Sequence, residues 1–234
     1  MRQAVILAGG LGTRLRGVVP DLPKPMAPVN GRPFLEHLLA YWIGQGITRF
    51  VLSVGYRREA IMSHFGSEYG GAALAYAVEE VPLGTGGGLL LALEHVNGVD
   101  PFLLLNGDTY FEVKLAALER LHAEGRADCT IALFRAAESG RYMAVDIAND
   151  GRIVALNAGT AKAGQLANGG AYLVQRPALR ALGWDAGKSV SLESELLPLL
   201  HGSGGRLFGC ECGGRFIDIG VPGDYARVPG VLGA

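Results

Sequence analysis

The sequence predicts an α/β fold: a mixed, mostly parallel sheet with helices on both faces. Two observations predict it. In the first half, short apolar runs without polar alternation are separated by stretches of helical periodicity, as expected for parallel strands buried on both faces. In the second half, β-rich runs lie close together around turn residues, as in an antiparallel sheet. The chain has 234 residues, 49% apolar and 18% charged, enough apolar material for one sizeable core. We read it as a single domain over 1–234.

Residues 4–8 read as a buried strand that enters a glycine loop. Phe34, Leu35, Leu38, Leu39 and Trp42 recur at helical spacing, behind Pro33 and before Gly46. Strand 50–54, helix 58–65, strand 74–78, helix 89–96 and strand 102–105 follow in alternation. Beyond them, 130–134, 144–147 and 153–156 are closely spaced strands, with Asn149-Asp150-Gly151 as a hairpin turn. A strand at 171–174, a helix near 192–200 and a final strand at 216–219 complete the reading.

Charge and cysteine content exclude several classes of function. Net charge is −1 with no block of like charges, so neither nucleic acid nor an acidic membrane has electrostatic reason to bind. The first apolar run covers only residues 4–8, too short for a signal peptide, and no later run reaches ~18 residues. The expected location is the cytoplasm. Cys129, Cys210 and Cys212 are too few for a disulfide framework and are expected as free thiols. Cys210 and Cys212 share one strand face, but without a second Cys/His pair they read as small apolar filler. The five histidines show no metal-ligand spacing and read as structural.

The strongest chemical signal follows the first strand: Leu7-Ala8-Gly9-Gly10-Leu11-Gly12-Thr13-Arg14-Leu15. Ligands of open parallel sheets bind beyond the carboxyl ends of the strands, where this loop lies. Glycines allow backbone N–H groups to converge on an anion, and Arg14 adds a forked cation suited to phosphate. Two common phosphate motifs fail here. A dinucleotide fingerprint from Gly10 meets Leu15 where glycine is needed, and a P-loop over 12–17 meets Val18-Val19 instead of Lys-Ser/Thr. Pro23-Lys24-Pro25 then holds a lysine on a stiffened backbone, where its ammonium can neutralise a phosphoryl group. Asp108, ending Leu105-Asn106-Gly107-Asp108, sits at the ligand side of the fourth strand and suits Mg²⁺, although a lone Asp there is also an ordinary turn residue. Asp218, between Ile217 and Ile219, would carry an unpaired buried charge unless a cation or donor met it.

In combination, Gly9-Gly10-x-Gly12-Thr13-Arg14-Leu15 and Pro23-Lys24-Pro25 resemble the sugar-phosphate nucleotidyltransferases, over nearly the whole chain. The resemblance implies a Rossmann-like, three-layer nucleotidyltransferase fold. It also implies transfer of a nucleotidyl group from a nucleoside triphosphate to a sugar 1-phosphate, with release of pyrophosphate. About 1–110 would be the nucleotide-binding half and about 111–234 the sugar-phosphate half. Leu7, Ala8, Gly9, Gly10, Gly12, Thr13, Arg14 and Lys24 are the implied nucleotide contacts, with Gly107 and Asp108. Glu80, Pro82, Leu83, Gly84 and Thr85 resemble the base-recognition segment; Thr85 also reads as a helix N-cap. Arg14, Lys24, Asp108 and Asp218 are the implied catalytic set, the two aspartates as joint Mg²⁺ ligands.

On the sugar side the resemblance implies Asn106, Asn168, Gly169 and Glu193. Asn168-Gly169-Gly170 is read as a turn, and Ser191 with Glu193 equally as a helix cap and its first turn. Many relatives carry a Phe-x-Glu-Lys run ahead of the Asn-Gly turn. Here the matching stretch is Leu156-Asn157-Ala158-Gly159, without either charge, and Lys162 is the substitute reaching for the sugar phosphate. Residues 10 to 28, Pro-Leu-Gly-Thr-Gly-Gly and Leu-Leu-Asn-Gly-Asp-Thr-Tyr-Phe look most like the subgroup that uses GTP and D-glycero-α-D-manno-heptose 1-phosphate to make a GDP-heptose for bacterial surface polysaccharides. N-acetylmuramate 1-phosphate uridylyl transfer and mannose 1-phosphate guanylyl transfer are the enzyme alternatives. A degenerate nucleotide-sugar-binding regulator is the non-enzyme alternative. No β-helix extension is expected after Tyr225, and a homodimer is the assembly the family suggests.

Overall fold

The computed structural model describes residues 2–15, 17–98, 100–157, 160–184 and 187–233. Strand β1 (Gln3–Leu7) leads into the glycine loop, a 3₁₀ turn at Lys24–Met26, and a short hairpin of β2 (Pro28–Val29) and β3 (Arg32–Pro33). Then come α1 (Phe34–Gly44), β4 (Arg49–Val54), α2 (Arg58–Phe65), β5 (Glu68–Tyr69), β6 (Ala72–Val78) and α3 (Gly84–Ala92). The middle of the chain forms β7 (Phe102–Asn106), β8 (Thr109–Phe111), α4 (Leu115–Glu124), β9 (Cys129–Arg135), β10 (Ala144–Ile147), β11 (Ile153–Asn157) and β12 (Leu166–Val174). The last stretch holds α5 (Arg176–Arg180), a π-helical turn at Leu192–Leu196 running into α6 (Leu197–Gly202), β13 (Leu207–Glu211), β14 (Phe216–Asp218) and α7 (Pro222–Leu232).

One mixed sheet runs in the order β11-β10-β12-β7-β1-β4-β6-β5, with β9 and β13 joined through β12. Its centre, β7-β1-β4-β6, is parallel. From β7 outward the pairing turns mostly antiparallel, with β12 against β7 and both β9 and β10 against β12, while β13 runs parallel to β9. Strand parity explains the unbroken apolar runs. Ala4 and Ile6 pack with Leu38 and Trp42 of α1, Ile61 of α2 and Leu118 of α4. Val5 packs on the opposite face with Leu89 of α3, Leu179 of α5 and Leu200 of α6. Ala4, Val5 and Ile6 of β1 therefore all need apolar side chains, whichever face they point to, which gives the three layers expected.

The last strand departs from expectation. β14 does not join the main sheet; it pairs with β8 in a separate antiparallel ribbon, placing Asp218 opposite Thr109. That ribbon rests on a third apolar cluster formed by Leu15, Ala27, Phe34, Ile217, Ile219 and Val228. The Ile219 N–H donates to the Asp108 carbonyl at 2.9 Å. This ribbon is what brings two aspartates 110 positions apart to one place.

Two further boundaries differ. The third helix starts at Gly84, not at 89, because its glycines permit an approach that side chains would block. A Cβ on Gly86 would lie 2.7 Å from Leu196 Cδ1, and one on Gly88 2.7 Å from Ser53 Oγ. Close packing outweighs a propensity deficit of about 1 kcal/mol per glycine. The strand expected at 171–174 begins at Leu166, so Asn168-Gly169-Gly170 lies inside a strand and is not a turn. There the pairing of β12 with β9 shifts register. Cys210 and Cys212 are half-buried against the core with their sulfurs 3.9 Å apart. No helix among the described residues is long and apolar enough to cross a membrane.

Candidate active site

The chain passes from β1 to β4 on one side and later places β7 on the other, so strand order reverses between β1 and β7. Loops leaving such neighbours diverge and open a crevice at the carboxyl ends. Leu7 and Asn106 face each other across this junction, and the Gly107 N–H donates to the Leu7 carbonyl at 2.9 Å. A Cβ on Gly107 would lie 2.5 Å from that carbonyl oxygen, so only glycine fits. The resulting cleft holds ≈ 500 Å³.

Most of the expected residues meet here. Leu7, Ala8, Gly9, Gly10, Gly12, Thr13 and Arg14 form one wall; Pro82, Gly84 and Thr85 another; Asn106, Gly107, Asp108, Lys24 and Glu193 close the rest. Lys24 is held in its 3₁₀ turn between Pro23 and Pro25, and its side chain is only 11% exposed. Its Nζ donates to Asp108 Oδ2 and lies 3.9 Å from Asp218 Oδ1. Asp218 also accepts from the Gly220 N–H, and Thr109 Oγ1 donates to Asp108 Oδ1 at 3.2 Å. Burial and the neighbouring Asp108 push the Asp218 carboxyl above its ordinary range, while Lys24, Gly220 and Arg141 oppose that rise.

Asp108 lines the phosphate-sized crevice and Asp218 the cavity beside it, with one cation in contact with both; such a pair fits a hard divalent ion that completes its shell with phosphate oxygens. The ammonium already between them marks where positive charge is favoured. Among the described residues no group of three or more His, Cys, Asp or Glu side chains converges, so any such ion would rely on its substrates for further ligands.

Glu193 is fixed by two partners. Thr85 Oγ1 donates to Glu193 Oε2 at 2.8 Å, and Asn106 Nδ2 to Oε1 at 3.4 Å. Thr85 accepts the Leu192 N–H at 2.8 Å and so ties the two segments together. It does not cap α3, whose N-cap position is Leu83. Ser191 does cap its own turn, accepting the Ser194 N–H at 3.1 Å, and Glu193 lines the cleft.

Five expected contacts lie elsewhere. Glu80 is exposed and paired with Arg58 at 3.2 Å, outside the cleft wall. Leu83 is buried behind the wall, where a Cβ on Gly87 would meet its side chain. Asn168 is buried within β12, donating to the Tyr172 hydroxyl at 2.8 Å, and Gly169 is packed under Phe111. Lys162 is exposed and contributes to neither this cleft nor the cavity beside it. Of the stretch expected to carry the sugar-phosphate contact, Ala158 and Gly159 lie outside the described residues, as does Arg16 in the opening motif.

The sequence reading missed Glu79. It is buried, accepts Ser53 Oγ–H at 2.9 Å and the Leu83 N–H at 3.1 Å, and sits against Gly9 at the cleft. The signal was present: the strand expected at 74–78 puts Glu79, ahead of Glu80, at its carboxyl end.

The family model described as Nucleotidyl transferase matches residues 3–226. The chain belongs to the nucleotidyl transferase family. D-glycero-alpha-D-manno-heptose 1-phosphate guanylyltransferase of Aneurinibacillus thermoaerophilus is 38% identical to this transferase over 229 residues, covering 96% of each chain. Mannose-1-phosphate guanylyltransferase of Mycobacterium tuberculosis is 34% identical over 96% of this chain and 62% of its own. Among solved structures, HddC from Yersinia pseudotuberculosis complexed with GMP-PN superimposes with a TM-score of 0.84 at 30% identity, covering 98% of this transferase and 99% of HddC.

Proposed function

We propose that this transferase moves a guanylyl group from GTP to D-glycero-α-D-manno-heptose 1-phosphate, giving the GDP-heptose and pyrophosphate in the cytoplasm. The observation that carries the reading is that Lys24 and Asp108 share the cleft with the Arg14 glycine loop, with Asp218 held against Lys24 at its edge. End-to-end similarity to a heptose 1-phosphate guanylyltransferase supports the choice of substrates. Mannose 1-phosphate is the second acceptor reading, favoured by the mycobacterial relative.

An oxygen of the sugar phosphate attacks the nucleotide α-phosphorus in line. A new P–O bond forms while the bond to the β-phosphate breaks, and pyrophosphate carries away the electron pair. The nucleophile needs no general base, since a phosphate monoester's second pKa is about 6. The main barrier is bringing two polyanions together. Arg14 and the backbone N–H groups of the glycine loop hold the triphosphate, and Lys24 neutralises charge that develops during transfer. Asp108 and Asp218 would hold Mg²⁺, which supplies further positive charge to the phosphates when bound. Glu193, braced by Thr85, accepts hydroxyls of the sugar.

Pyrophosphate release across four nucleoside triphosphates and a set of sugar 1-phosphates tests the reading. GTP with the heptose 1-phosphate is expected to give the highest kcat/KM. A higher value with mannose 1-phosphate would favour the second acceptor. Release only with UTP, or tight binding with no release from any pair, would overturn guanylyl transfer.

A further inference from the structure

We propose that Arg141, positioned by Asp224, binds the phosphate of the acceptor sugar 1-phosphate. The inference rests on the transferase reading above and names the side chain that meets the acceptor's charge.

Each of two polyanions needs countercharge on its own side. Arg14 stands at the triphosphate end of the cleft. Beyond the Lys24–Asp218 contact lies a second cavity of ≈ 240 Å³, walled in part by Arg141, Arg227, Asp218 and Asp224. Asp218 belongs to both sides: its Oδ1 faces Lys24, and its Oδ2 lies 3.4 Å from Arg141 Nη2. The acceptor's phosphate, bound at this junction, would touch the reacting end of the cleft.

Arg141 is built to serve there. Its Nη1 is ion-paired to Asp224, whose side chain is 7% exposed and whose other oxygen pairs with Arg227. One buried carboxylate thus anchors two guanidinium groups. A guanidinium carries five N–H donors in a planar fork, so contacts through Nη1 and Nη2 leave donors for phosphate oxygens. The supporting loop is tied down along its length, among others by the Ala136 N–H to the Gln165 carbonyl at 2.9 Å, the Gly140 N–H to the Ala161 carbonyl at 2.7 Å, and the Ala163 N–H to Ser139 Oγ at 3.2 Å. The guanidinium lies over the Tyr142 ring, 5.1 Å from its centroid. Lys162, the cation expected from sequence, is exposed and outside this cavity. Asp224 acts only through Arg141 and is a positioning residue.

Initial-rate kinetics separate this role from a structural one. Arg141→Gln is expected to raise KM for the sugar 1-phosphate about tenfold to a hundredfold, the loss of one charge-assisted contact, with KM for GTP nearly unchanged. Asp224→Asn is expected to show the same asymmetry at smaller amplitude. Unchanged KM for the sugar 1-phosphate, or equal rises for both substrates at an unchanged melting temperature, would overturn the proposal. Arg141→Lys keeps the charge and loses the fork; if the Gln variant does not fold, this variant is read by the same criterion. If the wild type releases no pyrophosphate with any pair, the transferase reading fails by itself. Calorimetric titration with glucose 1-phosphate then reads Arg141 directly: weaker binding by Arg141→Gln supports its role as a phosphate ligand, and equal binding overturns it.

Discussion

Lys24 contacts both Asp108 and Asp218, so its removal acts on both. Lys24→Ala and Asp218→Asn are each expected to lower turnover by about 10²–10³-fold, the size of a lost transition-state contact. Pyrophosphate release measures the loss, and circular dichroism confirms that the fold survives. Glu79 carries a different load. Glu79→Ala leaves Ser53 Oγ–H and the Leu83 N–H without their acceptor, an expected loss of about 1–3 kcal/mol seen in denaturant unfolding. The residues legible from sequence were those on strand-end loops with glycine or proline beside a charge, because those types have few other uses. Arg141 and Asp224 gave no such sign. Their partnership joins the 136–143 loop to α7, and no local spacing encodes it.

At the scale of elements, the junction of β1 and β7 depends on close backbone contact. Gly107→Ala would force a methyl group into the Leu7 carbonyl and spread the two strands at the cleft. The expected result is a destabilisation of about 1–3 kcal/mol together with a higher KM for the triphosphate. A melting curve and initial rates check the two parts, and a variant with both values unchanged refutes the contact. Strand and helix positions in the first half were legible because one period dominates each run. The start of α3 was less so: Thr85 read as a helix cap, but the apolar period begins only at Leu89, and Gly84 to Gly88 are held as helix by close approach to Ser53, Val190 and Leu196. β12 was cut short for the converse reason: Asn168-Gly169-Gly170 is good turn chemistry, yet the chain crosses it as an irregular strand between β9 and β10.

For the molecule as a whole, one buried histidine links packing to pH. His122 of α4 lies 3.0 Å from Thr130 Oγ1 and 3.2 Å from Gln175 Nε2, and burial holds its imidazole below the usual 6.5 despite the opposing charge of Asp128. The unfolded chain therefore binds a proton at higher pH than the folded one. This contribution is complete above about pH 7 and is lost as pH falls through 6.5 towards the lowered value. The melting temperature of the wild type is expected to drop more between about pH 7.5 and pH 5.5 than that of His122→Gln; equal drops would refute the assignment. The overall architecture was legible because layered α/β packing writes itself into hydrophobic periodicity; the β8–β14 ribbon was not, since two three-residue strands carry too little pattern. The sheet order also bears on how such a protein diversifies. All strands on the outer flank of β7 come after residue 106 in the chain, whereas β1, β4 and β6 come before it. A single genetic crossover near Asn106 would thus exchange the whole flank beyond β7 between related genes and leave the glycine loop and Lys24 in their original frame.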